Sequence, residues 1–161
     1  MEAQAMTKPD QEVRRQLVAL LTGGHAHMGL EQAVGDFPKE QRNQTIPGLP
    51  YTPWHLLEHM RIAQWDILEF IRNPGHKSPE WPRGYWPPRQ LQADQAQWEA
   101  SLCAWQADLK SLVEIVEDAK NDLYSDLPHA PGYCILREML VVSDHNAYHL
   151  GELAALKTVM G

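Results

Sequence analysis

The chain has 161 residues, 43% of them hydrophobic, and a formal net charge of −7. That length suits a single domain over residues 1–161 that buries about two-thirds of its unfolded surface, and that apolar share excludes a disordered chain. The acidity excludes a general nucleic-acid binder, which needs a basic footprint, and no run approaches the roughly 18 apolar residues of a membrane span.

Neither nucleic acid nor membrane is therefore expected as a partner. The opening residues, MEAQAMTKPDQEVRR, lack the apolar stretch of a secretory leader. Cys103 and Cys134 are the only cysteines, and neither belongs to a C-x-x-C pair. A reduced, cytoplasmic protein is the expectation.

Helical periodicity organises the chain, and no segment shows convincing strand alternation. The first predicted helix runs from about Pro9 to Thr22, with Val13, Leu17, Leu20 and Leu21 on one face. Thr7 or Asp10 can cap it, and Gly23-Gly24 stops it. The loop that follows, residues 23–51, has room for one short helix near Leu30–Val34. It also carries His25 and His27, of which His27 is a candidate further ligand or substrate contact.

The second long helix opens at TPWHLLEHM. Thr52 suits the N-cap and Pro53 the first helical position, where a missing N–H costs nothing. Leu56, Met60, Ala63, Ile67 and Phe70 form its stripe, and Asn73-Pro74-Gly75 ends it. A Pro- and Trp-rich connection fills residues 73–93. Its Trp81, Tyr85 and Trp86 need a surface, either an end of the bundle or a second subunit.

Asp94 and Gln97 form a capping box for the third long helix. Trp98, Leu102, Trp105, Leu109, Leu112 and Val116 recur there at alternating steps of four and three. The fourth runs from about Gly132 to Val159, with Ile135, Met139, Val142, His145, His149, Leu153, Leu156 and Met160 in the same rhythm. Four amphipathic helices joined by long Gly/Pro/Trp-rich loops predict an all-α four-helix bundle.

Two histidines on that last apolar stripe raise a question of chemistry. Residues four apart on a helix project from one face at adjacent turns, so His145 and His149 can direct two ring nitrogens at one point. At about 100° per residue, His59 lies roughly 60° from the stripe centre of its helix and His55 roughly 100°. His59 can thus face the bundle from its edge, whereas His55, in the first turn, suits capping or solvent. His59, His145 and His149 follow as the candidate metal ligands, with a four-imidazole site through His55 as the alternative.

Three imidazoles with one open position match a catalytic rather than a structural zinc pattern. The same donors suit other divalent ions, so Zn or Ni leads, with Fe, Mn or Cu behind. Asp66 can orient a ligand histidine or pair with an arginine, and Glu152, three after His149, can approach the metal edge. His76, His129, Asn146 and Tyr148 carry no assigned role.

The pair of motifs LLEHM and DHNAYHLG resembles the DinB/YfiT-like superfamily of metal-dependent four-helix-bundle proteins. The resemblance implies ligation by His59, His145 and His149, a homodimer, and a small-molecule substrate. Relatives include transferases and isomerases that use low-molecular-weight thiols, and others called hydrolases. A non-catalytic metal-binding or dimeric interaction protein is the alternative it leaves. Leu150 stands where many relatives carry a basic residue before the glycine, and His55 is an addition to the usual pattern.

Overall fold

The structure is a computed structural model and describes residues 6–23 and 25–160. Four long helices, α1 (Lys8–Thr22), α3 (Pro53–Arg72), α4 (Gln95–Glu117) and α5 (Ile135–Met160), form the bundle, with the short α2 (Leu30–Val34) packed on α5. Around the bundle α1 meets α4 and α5, and α3 meets the same two, so each long helix has two long neighbours. The predicted all-α bundle and its short extra helix are therefore present. None of the described helices is long and apolar enough to cross a membrane.

The caps follow the sequence. Thr7 accepts from the Asp10 amide, Thr52 from the His55 amide and Asp94 from the Gln97 amide, each satisfying an amide that the first turn leaves free. Gly23, at φ 76°, ends α1 in a conformation that disfavours a side chain; its predicted companion Gly24 lies outside the described residues.

Two stripes and one helix start need correction. Leu20 is 45% exposed, because the core-facing arc of α1 is centred on Leu17 and Leu21 and includes Arg14. On α3, Ile67 and Phe70 sit at the edge, while Leu57, Gln64, Leu68 and Ile71 are buried. That helix touches both α4 and α5, so its buried arc is wider than one stripe. The last helix starts at Ile135, not near Gly132. Residues Ala130–Cys134 form strand β2, paired antiparallel with β1 (Asp126–Leu127). A five-residue strand reading APGYC, with Pro and Gly inside, carries no alternation to detect.

Buried polar groups tie the helices together. The Arg14 guanidinium donates to the carbonyls of Val116, Asp118 and Asn121 at 2.6, 3.1 and 2.7 Å. It thereby serves the C-terminal end of α4, whose last turn holds no basic residue. Gln64 of α3 donates to the Trp105 carbonyl of α4 at 2.7 Å and accepts from Asn146 of α5 at 2.8 Å.

Candidate metal centre

His59 enters the interface between α3 and α5 from the second turn of α3, and His145 and His149 meet it from successive turns of α5. One nitrogen from each ring lies within 4.8 Å of the other two. The Nε2 atoms of His59 and His145 are 3.1 Å apart. Two nitrogens each about 2.1 Å from one tetrahedral ion stand about 3.4 Å apart, so this spacing suits shared ligation with a small adjustment.

On two of the three rings the opposite nitrogen is already engaged, which fixes the tautomer. His59 Nδ1–H donates to the Tyr85 carbonyl at 2.9 Å, and His149 Nδ1–H donates to Glu152 at 2.6 Å. Each Nε2 is left with its lone pair towards the cluster, the arrangement a metal-ligating histidine needs. His145 Nδ1 is buried without a hydrogen-bond partner among the described residues. Burial lowers the His59 pKa against the pull of the Tyr85 carbonyl. Burial, followed by the neighbouring His149 and His59, holds His145 down at about 4. Neutral imidazoles are what a metal site requires.

A second set of contacts holds this set. Glu152, through its other oxygen, accepts from the Tyr51 hydroxyl at 3.2 Å. The Tyr85 hydroxyl donates to Asp66 at 2.5 Å, and Asp66 also accepts from His76 Nε2–H at 2.7 Å. Burial first, and then the adjacent carboxylate, raises both phenols to about 12, so each remains a donor. Asp66 thus neither touches a ligand histidine nor pairs with an arginine. It anchors Tyr85, whose carbonyl orients His59.

Over the cluster lies the Trp-rich connection. Trp86 stacks on His59 with ring centroids 3.9 Å apart and 4° between planes, and Tyr51 stacks on Trp86 at 5.2 Å. Trp81 remains exposed against the edge of Tyr85. The surface this loop covers is therefore the His59 edge of the bundle. The sequence signal was the length and aromatic content of residues 73–93, together with Tyr51 beside the Thr52 cap.

The remaining histidines sort by their hydrogen bonds. His55 accepts from the Thr52 amide at Nδ1 and donates from Nε2 to the Leu91 carbonyl, so neither nitrogen has a lone pair to spare. It caps, as its first-turn position suggests, but it is buried rather than facing solvent, and the four-imidazole alternative fails. His27 Nδ1 bonds the Met28 carbonyl, and His27 lines a separate cavity beside α1 and α2. His129 donates to the Phe70 carbonyl.

The pKa of His145 has a consequence for the metal-free protein. Its folded value of about 4 lies below the ordinary 6.5, so between those limits the unfolded chain binds the proton more readily. Stability should therefore fall as pH drops from 6.5 towards 4, by about 3 kcal/mol from this group alone. Urea unfolding of chelated protein across that range, compared with His145→Gln, checks it. The variant should show a shallower decline, and parallel curves would refute the assignment.

With this geometry established, comparison with known sequences adds one finding. A sequence model described as the DinB superfamily matches residues 24–153, a span holding all three imidazoles. Neither a curated protein nor a solved structure matches the chain.

Proposed function

The chain belongs to the DinB superfamily, and on that footing we propose that it is a metal-dependent enzyme acting on a small molecule. The observation that carries this reading is the convergence of three imidazoles, two of them already oriented through their far nitrogens. Donors on two facing helices of a bundle are a standard way to build such a site.

In this reading His59, His145 and His149 hold a divalent ion, with Zn or Ni ahead of Fe or Mn. The bound ion supplies Lewis acidity, which favours the anionic form of a water or thiol. The chain's own residues do the rest. Tyr85 and Glu152 keep the Nε2 atoms of His59 and His149 aimed inward. Trp86 shields the His59 side from water, where electrostatic interactions strengthen. Three neutral ligands leave a fourth position for substrate. Thiol S-transfer or isomerisation fits a site of this kind ahead of hydrolysis.

The test is Co(II) substitution followed by titration with a small thiol. A new near-ultraviolet charge-transfer band, and metal-dependent consumption of the thiol with an electrophile from a small panel, are the expected results. A cobalt spectrum indifferent to thiol, with no metal-dependent turnover, would sink the enzymatic reading.

A non-catalytic dimeric protein is the second reading. Leu140, Val141 and Tyr148 are exposed on one face of α5, which supports a homodimer under either reading. Only the non-catalytic one predicts a metal site closed to thiol.

A further inference from the structure

Beside the imidazole cluster lies a cavity of about 660 Å³, within the size range of small-molecule sites. Pro50, Tyr51, Trp86 and Pro87 give it apolar walls, and Arg83 and Arg89 contribute to its lining from the solvent side. Tyr51 and Trp86 belong to both places. One bonds Glu152 and the other stacks on His59, so a molecule in the cavity rests on the same aromatic pair that reaches the cluster.

The arginines decide what kind of molecule this is. The chain has eight, and six have partners. Arg14, Arg15, Arg61, Arg72 and Arg137 pair with carboxylates, and Arg42 bonds Gln95 and the Phe37 carbonyl over the Trp98 ring. Arg83 and Arg89 alone make no ion pair or side-chain hydrogen bond among the described residues, and both line this cavity. The contrast matters in a chain where 21 acidic residues outnumber 14 basic ones. No Asp or Glu lines the cavity, so the two guanidiniums create a positive rim on an acidic protein. A guanidinium offers a planar fork that fits a carboxylate through two parallel hydrogen bonds.

We infer that this cavity binds a small organic carboxylate with a flat apolar body, the body against Tyr51 and Trp86 and the carboxylate on Arg83 and Arg89. The inference deepens the proposed function, since it gives that site a substrate class, but the binding itself needs no metal. An aromatic or conjugated acid suits the walls, because planar groups stack on Trp and Tyr. Proline walls add rigid apolar surface with little ordering cost.

Calorimetric titration of the full chain with 1-naphthoate tests it, both as purified and after chelation, with metal content measured in each sample. Binding is expected in both samples. In the Arg83→Gln/Arg89→Gln double variant it should weaken about 10- to 100-fold, and raising the salt should weaken wild-type binding. The neutral 1-naphthalenemethanol should bind wild type no better than naphthoate binds the variant.

Both arginines are exposed, so circular dichroism of the variant should match wild type. Absence of naphthoate binding, equal affinity for acid and alcohol, or an unchanged variant would overturn the inference. Tighter binding of 1-naphthyl phosphate than of naphthoate would overturn the carboxylate assignment. Naphthoate binding that vanishes on chelation would refute the role of the arginines while leaving the metal centre standing. Binding in protein that holds no metal as purified and takes up none when Zn or Ni is added would uphold the cavity and refute the metal reading.

Discussion

Replacement of His59, His145 or His149 by alanine is expected to weaken metal binding several hundredfold in each case. A structural zinc site with four protein ligands contributes roughly 10–16 kcal/mol, or about 2.5–4 kcal/mol per ligand, which is two to three decades in Kd. The loss should be similar for all three, because each supplies one ring nitrogen to the same small volume. Glu152→Gln should cost less, about 10- to 100-fold, since it keeps an acceptor for His149 Nδ1–H but removes the charge.

Tyr85→Phe should cost least. The bond to His59 comes from the Tyr85 carbonyl, which that change preserves, and only the anchor to Asp66 is lost. Competition titration against a chromogenic chelator gives the full order. Stoichiometric metal in all three alanine variants would refute the site. A Tyr85→Phe loss as large as that of a histidine would show that the loop anchor, rather than the ligand set, controls affinity.

The order of those effects follows the order in which the site can be read from sequence. His145 and His149 lie on the apolar rhythm of their own helix, and His59 falls roughly 60° from the stripe centre of its helix when residues are counted at about 100° each. Such positions are fixed by local periodicity. The burial of His55 and the role of Asp66 are not local. His55 is spoken for by a carbonyl 36 residues away, and Asp66 by a histidine and a tyrosine in the following loop. Nothing in the spacing of α3 carries that information.

The same limit explains Arg14, whose position on an apolar face makes sense only once the end of α4 lies over it. It explains the hairpin before α5, where pairing rather than propensity makes Ala130–Cys134 a strand. It also explains Gln64 and Asn146, polar residues that a hydrophobic stripe passes over. Caps and stripes made the bundle legible. The loop that roofs the cluster was visible only as an excess of tryptophan and proline needing a place to lie.

Gln64 is where fold and site meet, and Gln64→Leu is expected to destabilise the protein by about 2–3 kcal/mol. Its side chain is 0% exposed and Asn146 is 3% exposed, so neither can turn to water. The substitution leaves the Asn146 amide buried without its partner, a loss that the gained apolar contact offsets only in part. The Trp105 carbonyl loses a donor as well. Removing the second polar group should recover much of the loss, because replacing both partners by apolar groups of similar shape is close to neutral. Gln64→Leu/Asn146→Leu is therefore expected to be more stable than the sum of the single changes, with a coupling of about 1–2 kcal/mol by urea unfolding.

Metal affinity should not recover in parallel. Gln64 lies five residues after His59 and Asn146 follows His145, so their hydrogen bond fixes the register in which α3 and α5 present their imidazoles. Two leucines restore burial without restoring that register. The double variant should fold well and still bind metal more weakly than wild type. Additive stabilities would show that the two residues do not act as a pair. Wild-type metal affinity in the double variant would show that packing alone aligns the three histidines.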